Sequence, residues 1–303
     1  MLQEKVLITG CAGMLGLAVH EVFSKNYQTC LATDIDLNEP WLKPLDVRDL
    51  SQCEALFEAF QPDLVLHLAA LTDLEYCEQN PENTWQTNAL GPENIALLCK
   101  KHKSAMVYIS TAGIFDGRQE FYNDFDQPNP IGLYAKSKYY GETFVQRTLS
   151  RHFVFRAGWM MGGGLKKDKK FIHKIYRQIK AGQKELFVVD DKLGTPTYTH
   201  DFANGIYKVV QTKRYGLYNQ VCGGDCSRYD VAVEFTALLG MKDRVKVSKV
   251  SSDHFKTEYF APRPASEKLV NLKLNARKMN FMRDWKVCLK EYSEVFKKDL
   301  DGK

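Results

Sequence analysis

An α/β fold, with a doubly wound parallel sheet and a smaller C-terminal α/β lobe, is what the sequence predicts. Three observations carry this: short apolar runs alternate with amphipathic stretches through the first half, a glycine-rich turn follows the first run, and the alternation loosens after Arg156. Strands that are apolar throughout, rather than at every second residue, belong to a sheet covered by helices on both faces.

The elements follow in order. KVLITG reads as the first strand and MLGLAVHEVFSK as the helix after it; then come TCLAT, a helix in SQCEALFEAF, and the strand LVLHLAA. A helix from about Pro92 to His102, the strand AMVYIS, a helix carrying Tyr134 and the strand FVFRAG complete the regular half. Beyond it lie three successive glycines, a lysine-rich stretch, and a helix from about Phe171 to Ala181. GTPTYTHDFANGIYKVV starts another helix with Thr199 as its N-cap, and SRYDVAVEFTALLG places Ser227 and Asp230 as a capping box with Gly240 as the stop. The expected division is residues 1–158 as a dinucleotide-binding unit with 195–220 returning to it, and 159–194 with 221–303 as a substrate-binding lobe.

Bulk properties narrow the function. A chain of 303 residues, 44% hydrophobic and 26% charged, is of ordinary soluble composition. No apolar run approaches bilayer length, and MLQEKVLITG enters a strand pattern at once, leaving no room for a signal peptide. The expectation is a cytoplasmic protein with no membrane partner. Its net charge of +5 is not gathered on one arm, so nucleic acid is not an expected partner. Eight scattered cysteines suit reduced core thiols; Cys222 and Cys226 alone are close, with nothing to complete a zinc site, and no metal is expected.

ITGCAGMLG sets Gly10, Gly13 and Gly16 in a G-x-x-G-x-x-G turn between strand and helix, the Rossmann-type arrangement. Backbone N–H groups of that turn, with Met14 and Leu15 opening the helix, can face a pyrophosphate. LATDID ends the second strand with Asp34 about 18 residues past Gly16, where a carboxylate accepts hydrogen bonds from an adenosine ribose and repels a 2′-phosphate. NADH is therefore expected ahead of NADPH; Asp36 competes for the role, and a turn-forming Asp is the plainer alternative.

The stretch YAKSKYYGE puts Tyr134 and Lys138 four apart, on one face of a helix. A free phenol titrates near ~10 and an ammonium near ~10.4. A positive neighbour favours phenolate, so Lys138, together with an oxidised nicotinamide ring when that form is bound, is expected to lower the pKa of Tyr134.

Together with the glycine turn, YAKSK resembles the extended short-chain dehydrogenase/reductases. YISTAGIFDG, RAGWMMG, VVDDKLGTPTYTHDFA and APRPASEKL resemble, more closely, the reductases acting on dTDP-4-dehydrorhamnose. The resemblance implies Thr111, Tyr134 and Lys138 as catalytic residues, with Lys138 also on the nicotinamide ribose. It implies Asp46 and Val47 beside the adenine, Ala69, Ala70 and Leu71 along the cofactor, and Trp159, Thr197 and Arg263 toward a nucleotide sugar. Ser110 either assists or finishes its strand. Two departures stand out: STAGIF replaces the family's STDYVF, putting Ala112 and Gly113 at acidic and aromatic positions, and Ala18 replaces an acidic residue that binds magnesium in some members.

Other residues keep two readings at this level. Lys166, Lys167, Lys169 and Lys170 form either a solvated loop or a diphosphate contact; Trp159 stacks on a sugar or fills a core; Thr195, Pro196 and Thr197 line the site or only shape a turn. His67 reads as a satisfied core histidine. The expected activity is NAD(P)H-dependent reduction of the 4-keto group of a nucleotide-activated 6-deoxy sugar, most simply dTDP-4-dehydro-L-rhamnose to dTDP-L-rhamnose, by a monomer or homodimer. A different 4-keto sugar, or a non-catalytic dinucleotide-binding regulatory subunit, is the alternative.

Overall fold

The structure, a computed structural model, describes residues 1–302. Strands β1 (Leu2–Thr9) and β2 (Tyr27–Asp34) flank helix α1 (Met14–Asn26). A short β3 (Lys43–Pro44) follows, then α2 (Leu50–Phe60), β4 (Leu64–His67), α3 (Leu74–Gln79) and α4 (Pro81–Trp85). A π-helical turn, Gln86–Leu90, joins α4 to α5 (Gly91–His102). Next come β5 (Ala105–Thr111), α6 (Leu133–Thr148) and β6 (His152–Ala157).

The later chain begins with β7 (Trp159–Met161), α7 (Gly164–Lys167), α8 (Phe171–Lys180), β8 (Glu185–Val189), β9 (Leu193–Gly194) and β10 (Pro196–Tyr198). It continues through α9 (Thr199–Gln211), β11 (Gly216–Asn219), β12 (Cys226–Ser227), α10 (Arg228–Leu238) and β13 (Lys246–Val250). It ends with β14 (Ser266–Glu267), α11 (Leu272–Ala276) and α12 (Trp285–Leu300).

The main sheet has seven parallel strands in the order β11-β6-β5-β4-β1-β2-β3. Strand order reverses between β1 and β4, and a crevice opens past the carboxyl ends at such a switch point. One face buries Val6 and Ile8 against Val19 and Phe23 of α1 and Phe202, Ile206 and Val209 of α9. The other buries Leu7 and Val65 against Phe57 of α2, Ile95 of α5 and Val145 of α6. Successive strand residues point to opposite faces, so both faces being covered is what makes these strands apolar throughout. Residues 199–219 return to this unit through α9 and through β11 at the sheet edge, and Leu274 and Met279 join the same core. A second core gathers Ile175, Tyr176, Leu186, Phe235, Leu289 and Phe296 from α8, β8, α10 and α12.

Two local expectations change. The helix expected from Pro92 is preceded by helical residues from Pro81 onward. Pro92 has no N–H to give to Asn88, and the chain inserts an extra residue there, with the Gly91 N–H reaching back to Gln86 O. Thr199 is the first residue of α9 rather than its cap: Tyr198 occupies the cap position without a side-chain bond. The Thr199 hydroxyl is wedged against Gly162, where an added Cβ would lie 1.9 Å away. The Ser227–Asp230 capping box forms in both directions. Among the described residues no helix is long and apolar enough to cross a membrane.

Candidate active site

A cavity of about 1600 Å³ runs from the glycine turn, past the carboxyl ends of β4 and β5, to the second lobe. Pockets for one drug-sized ligand span roughly 300–1,000 Å³, so this volume suits two ligands end to end.

The three turn glycines have different physical reasons. Gly10 takes φ +71°, and a Cβ there would lie 2.2 Å from Ala69 N. A Cβ on Gly16 would lie 2.2 Å from Cys11 O. Gly13 has φ −78° and meets no atom nearer than 4.0 Å, so its missing side chain leaves room in the cavity. Gly13 caps α1 without a side chain, and Met14, Leu15 and Gly16, whose first-turn N–H groups have no acceptor within the helix, line the cavity.

The Asp34 carboxylate accepts the Ala12 N–H at 2.8 Å and the Asp36 N–H at 2.9 Å, which fixes it at the cavity edge. Asp36 instead takes the Asn38 side-chain amide at 2.8 Å. Asp46 is forked onto Arg48, at distances from 2.6 to 3.0 Å, and that cation holds its carboxyl below the usual range. Val47, buried, touches Gly91 and lines the same end. Ala69, Ala70 and Leu71 form one wall. Leu71 is clamped by Asn88 of the π turn, which accepts the Leu71 N–H at 2.8 Å and donates to its carbonyl at 3.0 Å. Sequence reasoning passed over Asn88; a proline one turn after a buried amide was the available signal.

On β5 and α6 the Thr111 hydroxyl accepts the Gly113 N–H at 3.1 Å and lies beside the Tyr134 phenol, both residues lining the cavity. Lys138 lies one turn on, its Nζ 4.3 Å from the Tyr108 ring centroid, while the Tyr108 hydroxyl donates to Lys138 O at 3.0 Å. Burial pushes the Tyr134 phenol up to about 12, Thr111 drawing it partly back. Burial likewise pushes the Lys138 ammonium down to about 7, offset in part by Glu142. The expected lowering of the Tyr134 pKa is therefore corrected for the protein alone: burial sets the direction of the shift, and the phenol keeps its proton at neutral pH. Glu142 is itself held by Arg156 at 2.6 and 3.1 Å in a fully buried pair. Ser110 Oγ is buried without a partner among the described residues.

His67 is half satisfied. Its Nδ1 meets Thr9 Oγ1 at 2.9 Å, its Nε2 has no partner among the described residues, and burial keeps it neutral by pushing its pKa down to about 3.

At the far end Trp159 donates its indole N–H to Glu267 at 2.7 Å and packs on Gly194. Arg263 lines the cavity but is forked onto Glu75, at 2.7 and 2.9 Å. Thr197 is not brought to the cavity: fully buried on β10, it accepts the Gly158 N–H at 3.0 Å and supports the wall from behind. The lysine-rich stretch lines the cavity with all four of its lysines; Lys166 and Lys169 are exposed, while three of the four are held by contacts. Lys166 and Lys167 reach Glu39 at 2.9 and 3.0 Å, Lys167 also donates to Ala12 O at 3.1 Å, and Lys170 donates to Thr72 O at 2.9 Å. The loop thus bridges the second lobe to the ribose end of the cavity. Arg228, which the sequence did not single out, lies 3.7 Å from the Trp159 ring and makes no hydrogen bond among the described residues.

Comparison with known proteins agrees with this geometry. The family model described as RmlD substrate binding domain matches residues 4–298. The crystal structure of a dTDP-4-dehydrorhamnose reductase from Clostridium acetobutylicum is 33% identical, with a TM-score of 0.88 over 96% of this chain and 99% of that one. The Bacillus anthracis dTDP-4-dehydrorhamnose reductase in complex with NADP is 30% identical, with a TM-score of 0.87 over 96% and 99%. The spore coat polysaccharide biosynthesis protein SpsK of Bacillus subtilis is 28% identical over 95% of this chain and 96% of its own. A match of this length, covering both lobes, means that the chain belongs to the dTDP-4-dehydrorhamnose reductase family of extended short-chain dehydrogenase/reductases.

Proposed function

We propose that the protein uses NADH or NADPH to reduce the 4-keto group of a nucleotide-activated 6-deoxy sugar, dTDP-4-dehydro-L-rhamnose, giving dTDP-L-rhamnose. One observation carries the reading: Thr111, Tyr134 and Lys138 meet midway along a cavity that runs from a turn open to pyrophosphate to a second, cation-bearing lobe. In this reading Gly13 and the α1 N-terminus hold the pyrophosphate, Asp34 the adenosine ribose, Asp46 and Val47 flank the adenine, and Lys138 meets the nicotinamide ribose.

A bound reduced nicotinamide supplies the hydride to the carbonyl carbon. Tyr134, protonated at neutral pH, gives its phenolic proton to the carbonyl oxygen, so C=O becomes H–C–OH and the tyrosine is left as phenolate for solvent to reprotonate. Thr111 donates a hydrogen bond to that oxygen as charge develops on it. Charged Lys138 favours the phenolate at that moment.

The test is purified protein with NADH or NADPH and a panel of 4-keto nucleotide sugars, followed by loss of reduced-cofactor absorbance. Turnover of dTDP-4-dehydrorhamnose supports the reading; turnover of another sugar alone replaces the substrate, and binding of cofactor without oxidation returns the regulatory-subunit alternative. NADH is the expected preference because Asp34, fixed at the cavity edge, would in this reading repel a 2′-phosphate on the adenosine ribose. In Asp34→Asn the ratio of kcat/KM for NADH over NADPH should fall by about tenfold or more, the loss of one charge contact of roughly 1.5–3 kcal/mol; an unchanged ratio removes Asp34 from cofactor choice.

A further inference from the structure

Between the catalytic hydroxyls and the second lobe stands a carboxylate that the mechanism above leaves unused. Glu267 lies on β14, paired to Gly194 of β9, so its backbone position is set by the small sheet β12-β9-β14. Its Oε2 accepts the Trp159 indole N–H at 2.7 Å. Its Oε1 has no hydrogen-bond partner among the described residues, and the residue lines the cavity. An added Cβ on Gly113 would lie 3.3 Å from Oε1 and 3.5 Å from Thr111 Oγ1. The bare Gly113 backbone therefore opens one space shared by Glu267 and Thr111. Arg228, stacked on Trp159 and attracted to the carboxylate, braces the indole that holds Oε2.

We infer that Glu267 is a specificity-determining residue of the sugar pocket, its Oε1 accepting a hydrogen bond from the hydroxyl on the carbon beside the reacting carbonyl. This rests on the proposed reductase reading. With the carbonyl oxygen on Thr111 and Tyr134, the two neighbouring carbons differ. In a 4-keto-6-deoxy sugar one carries the ring oxygen and methyl group, and only carbon 3 carries a hydroxyl. A pocket that ends in an unpaired carboxylate oxygen takes a donor there and leaves that oxygen without one when the donor is missing, which is how hydrogen-bonding sites reject deoxy analogues.

The experiment titrates dTDP-L-rhamnose, its 3-deoxy analogue and dTDP into NAD⁺-saturated wild type and Glu267→Gln, by calorimetry. Glutamine keeps an oxygen for the Trp159 N–H but turns an amide donor to the cavity, and equal thermal midpoints establish that the variant is folded. Wild type should bind dTDP-L-rhamnose about tenfold or more tighter than the 3-deoxy sugar. Glu267→Gln should bind the two about equally, with its affinity for reduced cofactor, titrated in the same calorimeter, unchanged. A variant that keeps the wild-type preference, or a wild type with no preference, overturns the inference. The readout does not depend on turnover: preference lost in the variant while no keto sugar is reduced would remove the reductase reading and leave the Glu267 contact standing.

Discussion

At the scale of single residues, the site is a contest between burial and charge, and burial wins at both of the positions proposed to be catalytic. Tyr134 is held protonated and Lys138 sits near neutrality, so the pair suits proton donation to a carbonyl more than proton removal. Tyr134→Phe should fold and bind cofactor yet lose about 10²–10⁴-fold in kcat; turnover within a few-fold of wild type would take the phenol out of the mechanism. Lys138 carries a stability signature with a definite sign. Its folded pKa of about 7 lies below the value of about 10.4 for an unfolded chain, so between those limits the unfolded chain binds a proton that the folded one does not. Stability therefore rises with pH across this window, and the full cost of burying the cation is present below pH 7. Lys138→Met should gain on the order of 2 kcal/mol more over wild type at pH 6 than at pH 9, by urea denaturation. A gain independent of pH would contradict the lowered pKa. The four-residue spacing made this pair legible in the sequence. The direction of the Tyr134 shift was not, because desolvation depends on what the second lobe covers.

At the scale of elements, the turn between β1 and α1 separates glycines the fold needs from one it does not. Gly10→Ala forces a Cβ into the Ala69 backbone at a left-handed φ, and should cost on the order of 3 kcal/mol or more, or prevent folding. Gly13→Ala meets open space at an ordinary φ; its thermal midpoint should stay within about 1–2 °C of wild type while dinucleotide affinity falls about tenfold or more, measured by cofactor fluorescence. An unchanged dinucleotide affinity in Gly13→Ala would mean the space beside Gly13 is not a ligand site. Spacing alone could not tell these glycines apart, since the motif records identity and the difference lies in what each Cβ would touch. The apolar strands and the Ser227–Asp230 box were readable because their causes are local. The helix before Pro92 was not, because Pro81 and Pro92 are turn signals that the chain absorbs as a helix start and a π turn.

At the scale of the whole molecule, the two lobes are tied across the cavity by charges distant in sequence. Lys166 and Lys167 meet Glu39 at the ribose end, and Arg263 meets Glu75 of α3 at the sugar end. Arg263 could be singled out from its motif, but its partner stands 188 residues earlier and nothing local announces the pairing. The forked pair occupies the face of the guanidinium that a substrate diphosphate would use, so a nucleotide sugar gripped by Arg263 must first displace a carboxylate. Removing that competitor without removing the cation should tighten binding. Glu75→Gln should lower the nucleotide-sugar KM by about three- to tenfold and leave the cofactor KM unchanged, the range expected for freeing a half-buried ion pair worth roughly 1 kcal/mol. Arg263→Ala should raise the same KM, and in the double variant the benefit of Glu75→Gln should vanish, since no guanidinium is left to free. A Glu75→Gln variant that binds substrate more weakly would mean the pair acts as a structural strap, holding α3 against the second lobe, and that the diphosphate is gripped elsewhere.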